Sequence, residues 1–269
     1  MALRFDAIAL AAFDLFLLNR TEAHDEYSDS EKDRAEAYFQ KLSAADKKTL
    51  TNNIIAGLPG AEEAYSIDEF RTILESYSEI DAAQLKSNLV EFLKAIIPTA
   101  QEADVKMCIH PDDPPYPIFG LPRVVSTEAD IIQLFEAVDS PYNGLTFCTG
   151  SFGVRTDNDL VGMIKRLGDR IHFVHLRSTK RDAEGSFYEA DHLTGDVDMY
   201  AVMKALIEQQ ANRNKICRTY VRMPFRPDHG HQMLSDLNRK ANPGYSAIGR
   251  LRCLAELRGL ELGIRRSYK

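Results

Sequence analysis

From residue 105 onward, short apolar segments alternate with stretches of helical periodicity, and this alternation is the feature that most constrains the fold. The apolar segments are Val105–His110, Leu145–Cys148, Ile171–Leu176 and a strand around Val221–Phe225. The helical stretches lie near Glu128–Asp139, Asn158–Leu167, Val197–Gln210 and Ala247–Arg258. Strand–helix alternation without hairpin signals is typical of βαβ units, whose strands are parallel. The pattern predicts an α/β fold with about four parallel strands, which form either a small open sheet or part of a barrel.

The first 104 residues predict helices and no convincing fifth strand. The predicted helices cover 3–18, Ser30–Lys41, Ser43 to about Ala56, a segment opened by Ser66, and about Ala82–Glu102. Ser43 and Asp46 have the spacing of a capping signal, and Asp81 is a suitable N-cap. Gly57-Leu58-Pro59-Gly60 ends the third helix. We therefore expect a helical region over 1–104 and a strand-containing region over 105–269, together forming one structural domain.

Each predicted strand ends in side chains that can bind a metal ion or move a proton. The first ends at His110, the second at Cys148 and the third beside His175, and the fourth leads into Arg226-Pro227-Asp228-His229-Gly230-His231. In parallel α/β folds, catalytic groups gather at the carboxyl ends of strands. A single histidine at a strand end is more often structural than functional. Four successive strand ends that all carry such side chains arise by chance much more rarely. Two imidazoles, a thiolate and a carboxylate suit Fe²⁺, Mn²⁺ or Zn²⁺, and they suit Mg²⁺ or Ca²⁺ poorly because of the sulfur.

The alternation of side chains along a strand separates the candidates from their neighbours. His175 shares a face with Phe173, whereas His172 lies on the opposite face and is expected to stay outside the site. Cys108 shares a face with His110 but lies one layer deeper, so we interpret it as a small core residue.

Two arginines are candidates for binding a substrate carboxylate. Arg177 lies two residues after His175 and on the same face. Arg155 follows a glycine-containing loop, 150–154, and precedes a helix that Thr156 could cap. The alternative for Arg155 is a surface charge at the start of that helix. Arginine suits a carboxylate because its planar guanidinium can donate two parallel hydrogen bonds.

Composition excludes several classes of protein. The 33 basic and 40 acidic residues give a net charge of −7, which argues against a general nucleic-acid binder. The most apolar stretch, 7–18, is interrupted by Asp14 and is too short to span a bilayer, and its flanks do not resemble a signal peptide. The four cysteines are widely spaced and form no CxxC motif, so we expect reduced thiols and a cytoplasmic location. They are Cys108, Cys148, Cys217 and Cys253.

Longer motifs surround the strand ends. They are His110–Pro115 with Gly120–Arg123, Cys148–Ser151, His175–Thr179, His192–Met199, Arg226–His231 and Asn242–Arg250. The helical region adds Leu3–Asp6 and Asn53–Glu63. Together these motifs resemble the mannonate dehydratase family, over nearly the whole chain and with high specificity.

The resemblance implies a (β/α)₈ TIM barrel related to the xylose-isomerase-like sugar enzymes. It implies a carbon–oxygen lyase that dehydrates D-mannonate to 2-dehydro-3-deoxy-D-gluconate in hexuronate (glucuronate) catabolism, with Fe²⁺ or Mn²⁺ as cofactor. The metal ligands that it implies are His110, Cys148, His175 and Asp228. His229 and Tyr245 resemble the catalytic acid and base, and the resemblance leaves open which is which.

The chain departs from the family at its beginning. Family members carry a long N-terminal segment with the first four barrel strands, whereas this chain leads straight into the family's middle. We therefore expect an incomplete barrel with about four parallel strands, low activity in isolation, and a partner that is either a second copy (a homodimer) or the missing segment. Two alternatives stay open: a truncated, non-catalytic, metal-binding remnant, and a sugar isomerase or epimerase of the xylose-isomerase-like type. The motif Arg226–His231 together with Tyr245 argues against the isomerase.

Overall fold

The computed structural model describes residues 3–56, 65–216 and 220–268. Within these ranges there are seven strands: β1 Arg4–Phe5, β2 Met107–Ile109, β3 Asn143–Cys148, β4 Ile171–His175, β5 Thr179–Arg181, β6 Phe187–Glu189 and β7 Phe225–Arg226. The helices before β2 are α1 Ala7–Phe13, α2 Ala23–Glu26, α3 Asp29–Phe39, α4 Ala44–Ala56, α5 Ile67–Glu75 and α6 Ala82–Glu102. The later helices are α7 Glu128–Ala137, α8 Thr149–Gly153, α9 Leu160–Leu167, α10 Met199–Lys215 and α11 Ala247–Ser267. A π-helical turn covers Asp14–Leu18, and 3₁₀ turns cover Gly168–Arg170 and Leu234–Asn238.

Strands β2, β3, β4 and β7 form a parallel sheet in that order. The α/β fold and the four-stranded parallel sheet are therefore confirmed, and the sheet is consistent with an incomplete barrel. The register places Cys148 opposite His175, and His175 opposite Arg226. This register aligns the carboxyl ends of three neighbouring strands, so the residues that follow them meet at one edge.

The fourth strand is shorter than predicted. The expected strand around Val221–Phe225 is observed only as Phe225–Arg226. Pro224 precedes it, and proline has no N–H to donate to a ladder; its carbonyl instead accepts a hydrogen bond from Val174 N. The approach to this strand includes Cys217, which lies outside the described residues, as does the predicted helix end at 57–60.

The predicted helix over 3–18 divides into three parts. Arg4–Phe5 is extended and pairs antiparallel with β6. Asp6 then caps α1, its carboxylate accepting from Ala9 N, so the helix begins at Ala7. A π-helical turn follows at Asp14, whose buried carboxylate receives two hydrogen bonds from Arg20. The predicted caps Ser43 with Asp46, Ser66 with Glu69, and Asp81 are confirmed. The predicted cap Thr156 is wrong, because α9 begins at Leu160 and its N-cap is Asp159.

A hairpin that the sequence analysis missed lies between β5 and β6. The two three-residue strands pair antiparallel, and β1 adds a third strand at the edge of β6. The turn is built by Asp182, whose carboxylate accepts from the backbone N–H groups of Glu184 and Ser186, and by Gly185 at φ +86°. Strands of three residues are too short to give a reliable alternation signal. The hairpin matters for function because it carries Glu189.

The main hydrophobic core lies between the parallel sheet and its flanking helices. It contains Leu145, Phe147, Ile171 and Val174 from the strands, packed against α6, α7, α9, α10 and α11. A second cluster joins Phe13 and Phe70 of the N-terminal helices to Phe119. The boundary at 104/105 and the single domain stay predictions. Among the described residues, no helix is long and apolar enough to cross a membrane.

His172 lies on the face of β4 opposite to His175, as predicted. Its Nε2–H donates to the carbonyl of Pro141, and its ring packs edge-on against Tyr220. Gly144 leaves the space for this ring: a Cβ there would lie 2.1 Å from Cδ2 of His172 and 2.6 Å from the carbonyl oxygen of Arg170. Cys108, predicted as a core residue, is only half-buried because β2 is an edge strand.

Gly144→Ala should destabilise the fold by roughly 1–3 kcal/mol, since neither the buried ring nor the backbone carbonyl can move freely. The measurement is the urea midpoint of unfolding. Gly259→Ala is the matched control, because a Cβ at this exposed helical position meets nothing within 4 Å; it should stabilise by about 0.5–1 kcal/mol. Equal effects of the two substitutions would contradict the packing argument.

Stability should fall on mild acidification because of His172. Burial lowers the pKa of His172 to about 4, below the value of about 6.5 expected in the unfolded chain. The neutral ring therefore contributes stability that is fully present above about pH 6.5 and is lost as the pH falls towards about 4. Between about pH 7 and pH 5 we expect a loss of about 1–2 kcal/mol, measured by urea unfolding, and a smaller loss in His172→Gln.

Candidate metal and active site

Four side chains converge at the carboxyl edge of the parallel sheet. They are His110 after β2, Cys148 at the end of β3, His175 at the end of β4 and Asp228 after β7. One potential ligand atom from each lies within 4.8 Å of the others. Cys148, His175 and Asp228 are buried, whereas His110 is exposed. The convergence that the strand ends predicted is thus present in the structure.

Each of the two histidines turns one ring nitrogen towards the centre of this group. Nδ1–H of His110 donates to the carbonyl of Pro111 at 2.7 Å. Nε2 of His110 is therefore free to coordinate, and it lies 3.2 Å from Nδ1 of His175. The same Nδ1 lies 3.5 Å from Oδ2 of Asp228. A hydrogen bond that fixes the far nitrogen of a ligating histidine is usual in metal sites.

Cys148 lies where its sulfur accepts two hydrogen bonds. It is the N-cap of the short helix α8, and its Sγ accepts hydrogen bonds from the backbone N–H and the hydroxyl of Ser151, at 3.5 and 3.2 Å. Hydrogen bonds to a thiolate stabilise the form that binds metal. Thr149 then ties α8 to β4, since its Oγ1 donates to the carbonyl of Arg177 and accepts from Arg177 N.

Asp228 has a conformation that its surroundings must hold in place. Its φ is +64°, in the left-handed region that costs a non-glycine residue about 1 kcal/mol or more. The carbonyl of the preceding Pro227 accepts a hydrogen bond from Nε2–H of His192, at 2.7 Å. Burial alone would raise the pKa of Asp228, but His229, His175, Arg177 and Arg226 together hold it below its usual value. The carboxylate is therefore available as an anionic ligand.

Two glycines let the loop after Asp228 lie directly against the start of α11. A Cβ at Gly249 would lie 1.8 Å from the carbonyl oxygen of His231, and one at Gly230 would lie 2.7 Å from Arg250 N. Gly230 N also donates to the carbonyl of Gly244. This close approach brings Tyr245 next to His229.

The residues present fit a borderline divalent ion. The donor set contains two imidazoles, a thiolate and a carboxylate, and its two anionic ligands would balance the charge of a divalent ion. Nitrogen and sulfur ligands suit Fe²⁺, Mn²⁺ or Zn²⁺ better than Mg²⁺ or Ca²⁺.

His229 and Tyr245 lie together beside the four-residue group. Their rings pack edge-to-face with centroids 5.2 Å apart. Nε2 of His229 lies 4.0 Å from Oδ2 of Asp228, and its Nδ1 lies 2.9 Å from Oε1 of Glu189. Tyr245 is 42% exposed, and the guanidinium of Arg250 lies over its ring. A histidine and a phenol that lie this close together can act on one substrate as acid and base.

The two predicted substrate-binding arginines have different surroundings. Arg177 is buried, with ion pairs to Asp113 and Glu189, and burial opposed by these two carboxylates leaves its pKa above the usual value. Arg155 is partly exposed, makes a two-point ion pair with Asp157 and donates to the carbonyl of Pro115. Substrate contact by either arginine stays a prediction.

Two residues that the sequence analysis missed belong to this site. Ser151 donates to the sulfur of Cys148, and its place three residues after the cysteine is the spacing of a helix cap. Glu189 bridges Arg177 and His229. No local signal pointed to Glu189, because the strand that presents it was not recognised.

Comparison with known proteins decides the family. A family model described as D-mannonate dehydratase (UxuA) matches residues 2–269. The chain belongs to the mannonate dehydratase family. It is 54% identical over 265 residues to the mannonate dehydratase of Marinomonas sp. (strain MWYL1) and 52% identical over 265 residues to that of Chromohalobacter salexigens, in each case over 98% of this chain.

A solved structure agrees with this family assignment. The crystal structure of mannonate dehydratase from Streptococcus suis serotype 2 superposes with a TM-score of 0.67 and 36% identity over 80% of this chain. The chain spans 58% of that protein, and 68% and 67% of the Marinomonas and Chromohalobacter proteins. The predicted family is confirmed, and the comparisons favour neither the isomerase nor the non-catalytic remnant.

Proposed function

We propose that this chain dehydrates D-mannonate to 2-dehydro-3-deoxy-D-gluconate, as a lyase of hexuronate catabolism. The observation that carries the proposal is the convergence of His110, Cys148, His175 and Asp228 beside the His229–Tyr245 pair, in a member of the mannonate dehydratase family. The relatives bear that enzyme's name, and side chains able to bind a metal ion and to transfer protons lie together here.

We propose that the four converging side chains hold Fe²⁺ or Mn²⁺. The ion, when bound, supplies Lewis-acid stabilisation of the negative charge that develops on the substrate as the C2 proton leaves. The nitrogen, sulfur and oxygen donors support this choice. So do the hydrogen bond that His110 donates to the carbonyl of Pro111 and the one that Cys148 accepts from Ser151.

We assign the two proton transfers of the reaction to His229 and Tyr245. One of them removes the proton from C2, the electrons of that bond form the C2–C3 double bond, and the C3–O bond breaks. The other gives a proton to the departing hydroxyl, which leaves as water. The enol that results has its hydroxyl on C2 and becomes the 2-keto acid by moving one proton to C3. Arg177 and Arg155 are proposed to contact the substrate carboxylate.

We further propose that the chain acts as a homo-oligomer in the cytoplasm. Among the described strands, β2 and β7 form the two edges of the parallel sheet, each with a single neighbour. An unpaired edge offers backbone hydrogen bonds to another chain. The cysteines at 108, 148 and 253 are free thiols, which supports a reducing compartment.

The test is an assay of the purified full chain loaded anaerobically with Mn²⁺ or Fe²⁺. We expect D-mannonate to lose one water and give a 2-keto acid, detected by mass spectrometry, while the C2 epimer D-gluconate and a chelator-treated sample give none. Bound Mn²⁺ without turnover would support the non-catalytic alternative. Conversion of a sugar to its ketose or epimer would support the isomerase.

A further inference from the structure

We propose that Glu189 is the positioning residue for His229, holding Nδ1–H so that Nε2 faces the metal-ligand group. The inference rests on the proposed function for its consequence in catalysis, but the geometry that carries it is independent of any substrate. Oε1 of Glu189 lies 2.9 Å from Nδ1 of His229. Because an ionised carboxylate can only accept, Nδ1 carries a proton in this contact, and in the neutral ring the lone pair is then on Nε2.

Glu189 itself is held from several sides. Its side chain is 7% exposed, and its Oε1 accepts from Nε of Arg177 at 2.7 Å and lies 2.6 Å from NH2 of the same guanidinium. Asp113 contacts the third nitrogen of Arg177. The position of Arg177 depends in turn on Gly150, since a Cβ there would lie 2.4 Å from Cδ of the arginine. The acceptor of the His229 proton is therefore fixed by a buried network.

The main chain of Glu189 also contacts the loop that follows Asp228 and carries His229. Its carbonyl accepts from Nε2–H of His231 at 2.8 Å, so side chain and main chain together hold two residues of the loop that follows Asp228. Its N–H donates to the carbonyl of Leu3, which fastens the strand to the N-terminal segment. These main-chain contacts fix the position of Glu189 relative to the loop that carries His229.

The tautomer decides what His229 can do. With Nδ1–H held by Glu189, the free lone pair on Nε2 points to the side where Asp228 lies, 4.0 Å away. This arrangement gives His229 the form of a base and leaves the phenol of Tyr245 as the acid. A histidine held by a carboxylate in this manner loses activity when the wrong tautomer forms.

Glu189→Gln tests the proposal, because the amide keeps the shape but accepts more weakly and can present its NH₂ group instead. We expect kcat for D-mannonate to fall by about 10²-fold or more, with KM and bound Mn²⁺ close to those of the unaltered chain. Glu189→Asp, which keeps the charge, should recover part of the kcat. Glu184→Gln is the matched control: this carboxylate lies on the same hairpin, is exposed and pairs with Arg34, and its loss should change kcat less than twofold.

A second measurement needs no variant at position 189 and no substrate. The ¹⁵N chemical shifts of the His229 ring, assigned by comparison with His229→Asn, report which nitrogen is protonated. We expect the Nδ1–H form in the unaltered chain and a shift towards Nε2–H in Glu189→Gln. An Nε2–H ring in the unaltered chain would overturn the proposal, as would folded, metal-loaded Glu189→Gln with undiminished kcat. Absence of turnover in the unaltered chain would count against the proposed function alone, since the ring shifts still decide the role of Glu189.

Discussion

Cys148→Ala should abolish tight binding of the divalent ion and lower turnover of D-mannonate by on the order of 10³-fold or more. In the proposed site the thiolate is one of two anionic donors, and its place at the end of β3 is buried. A bound metal ion stabilises the charge of the transition state by several kcal/mol, and loss of the ion removes this stabilisation. The measurement is metal content after gel filtration, paired with the D-mannonate assay.

The matched control is Cys108→Ala. Cys108 lies in the neighbouring strand β2, is a free and half-buried thiol, and is not one of the four converging residues. Its removal should leave about one ion per chain, as a single four-ligand site predicts. Retention of a full complement of metal by Cys148→Ala would show that the sulfur is not a ligand.

The two central strands of the parallel sheet were predictable because they are buried and apolar over several residues. The segments around 145–148 and 171–176 consist almost entirely of residues that favour a buried strand, and both are found within one or two residues of their predicted bounds. The short strands were not predictable. β1 has two residues and β5 and β6 have three each, and their pairing depends on contacts between Leu3, Phe5 and the hairpin that no local pattern encodes.

The candidate site shows the same division between local and long-range information. His110, Cys148, His175 and Asp228 were predictable as a group, since parallel strands bring their carboxyl ends to one edge. Glu189 was not, because it reaches His229 only through the hairpin and the fold of the loop after Asp228. The occupied guanidinium of Arg177 is also a product of tertiary contact, since Asp113 is 64 residues away in sequence.

His229→Asn and Tyr245→Phe should each lower turnover of D-mannonate by about 10²–10⁴-fold, the usual contribution of a general acid or base. Both are expected to keep a near-normal metal content, because neither side chain is among the four converging residues. Asparagine can still donate to Glu189, and phenylalanine keeps the edge-to-face packing on His229. His24→Asn and Tyr200→Phe, at exposed positions on other helices, are the controls and should be neutral.

Exchange of the C2 proton of D-mannonate in D₂O separates the two roles. If His229 is the base, Tyr245→Phe should still exchange C2–H for deuterium while it forms almost no product, since only expulsion of the C3 hydroxyl is blocked. His229→Asn should then show neither exchange nor product. The opposite pattern, with exchange surviving in His229→Asn, would assign the base to Tyr245 and would remove the catalytic consequence proposed for Glu189. Loss of metal from either variant would show that a ligand had been taken for an acid or base.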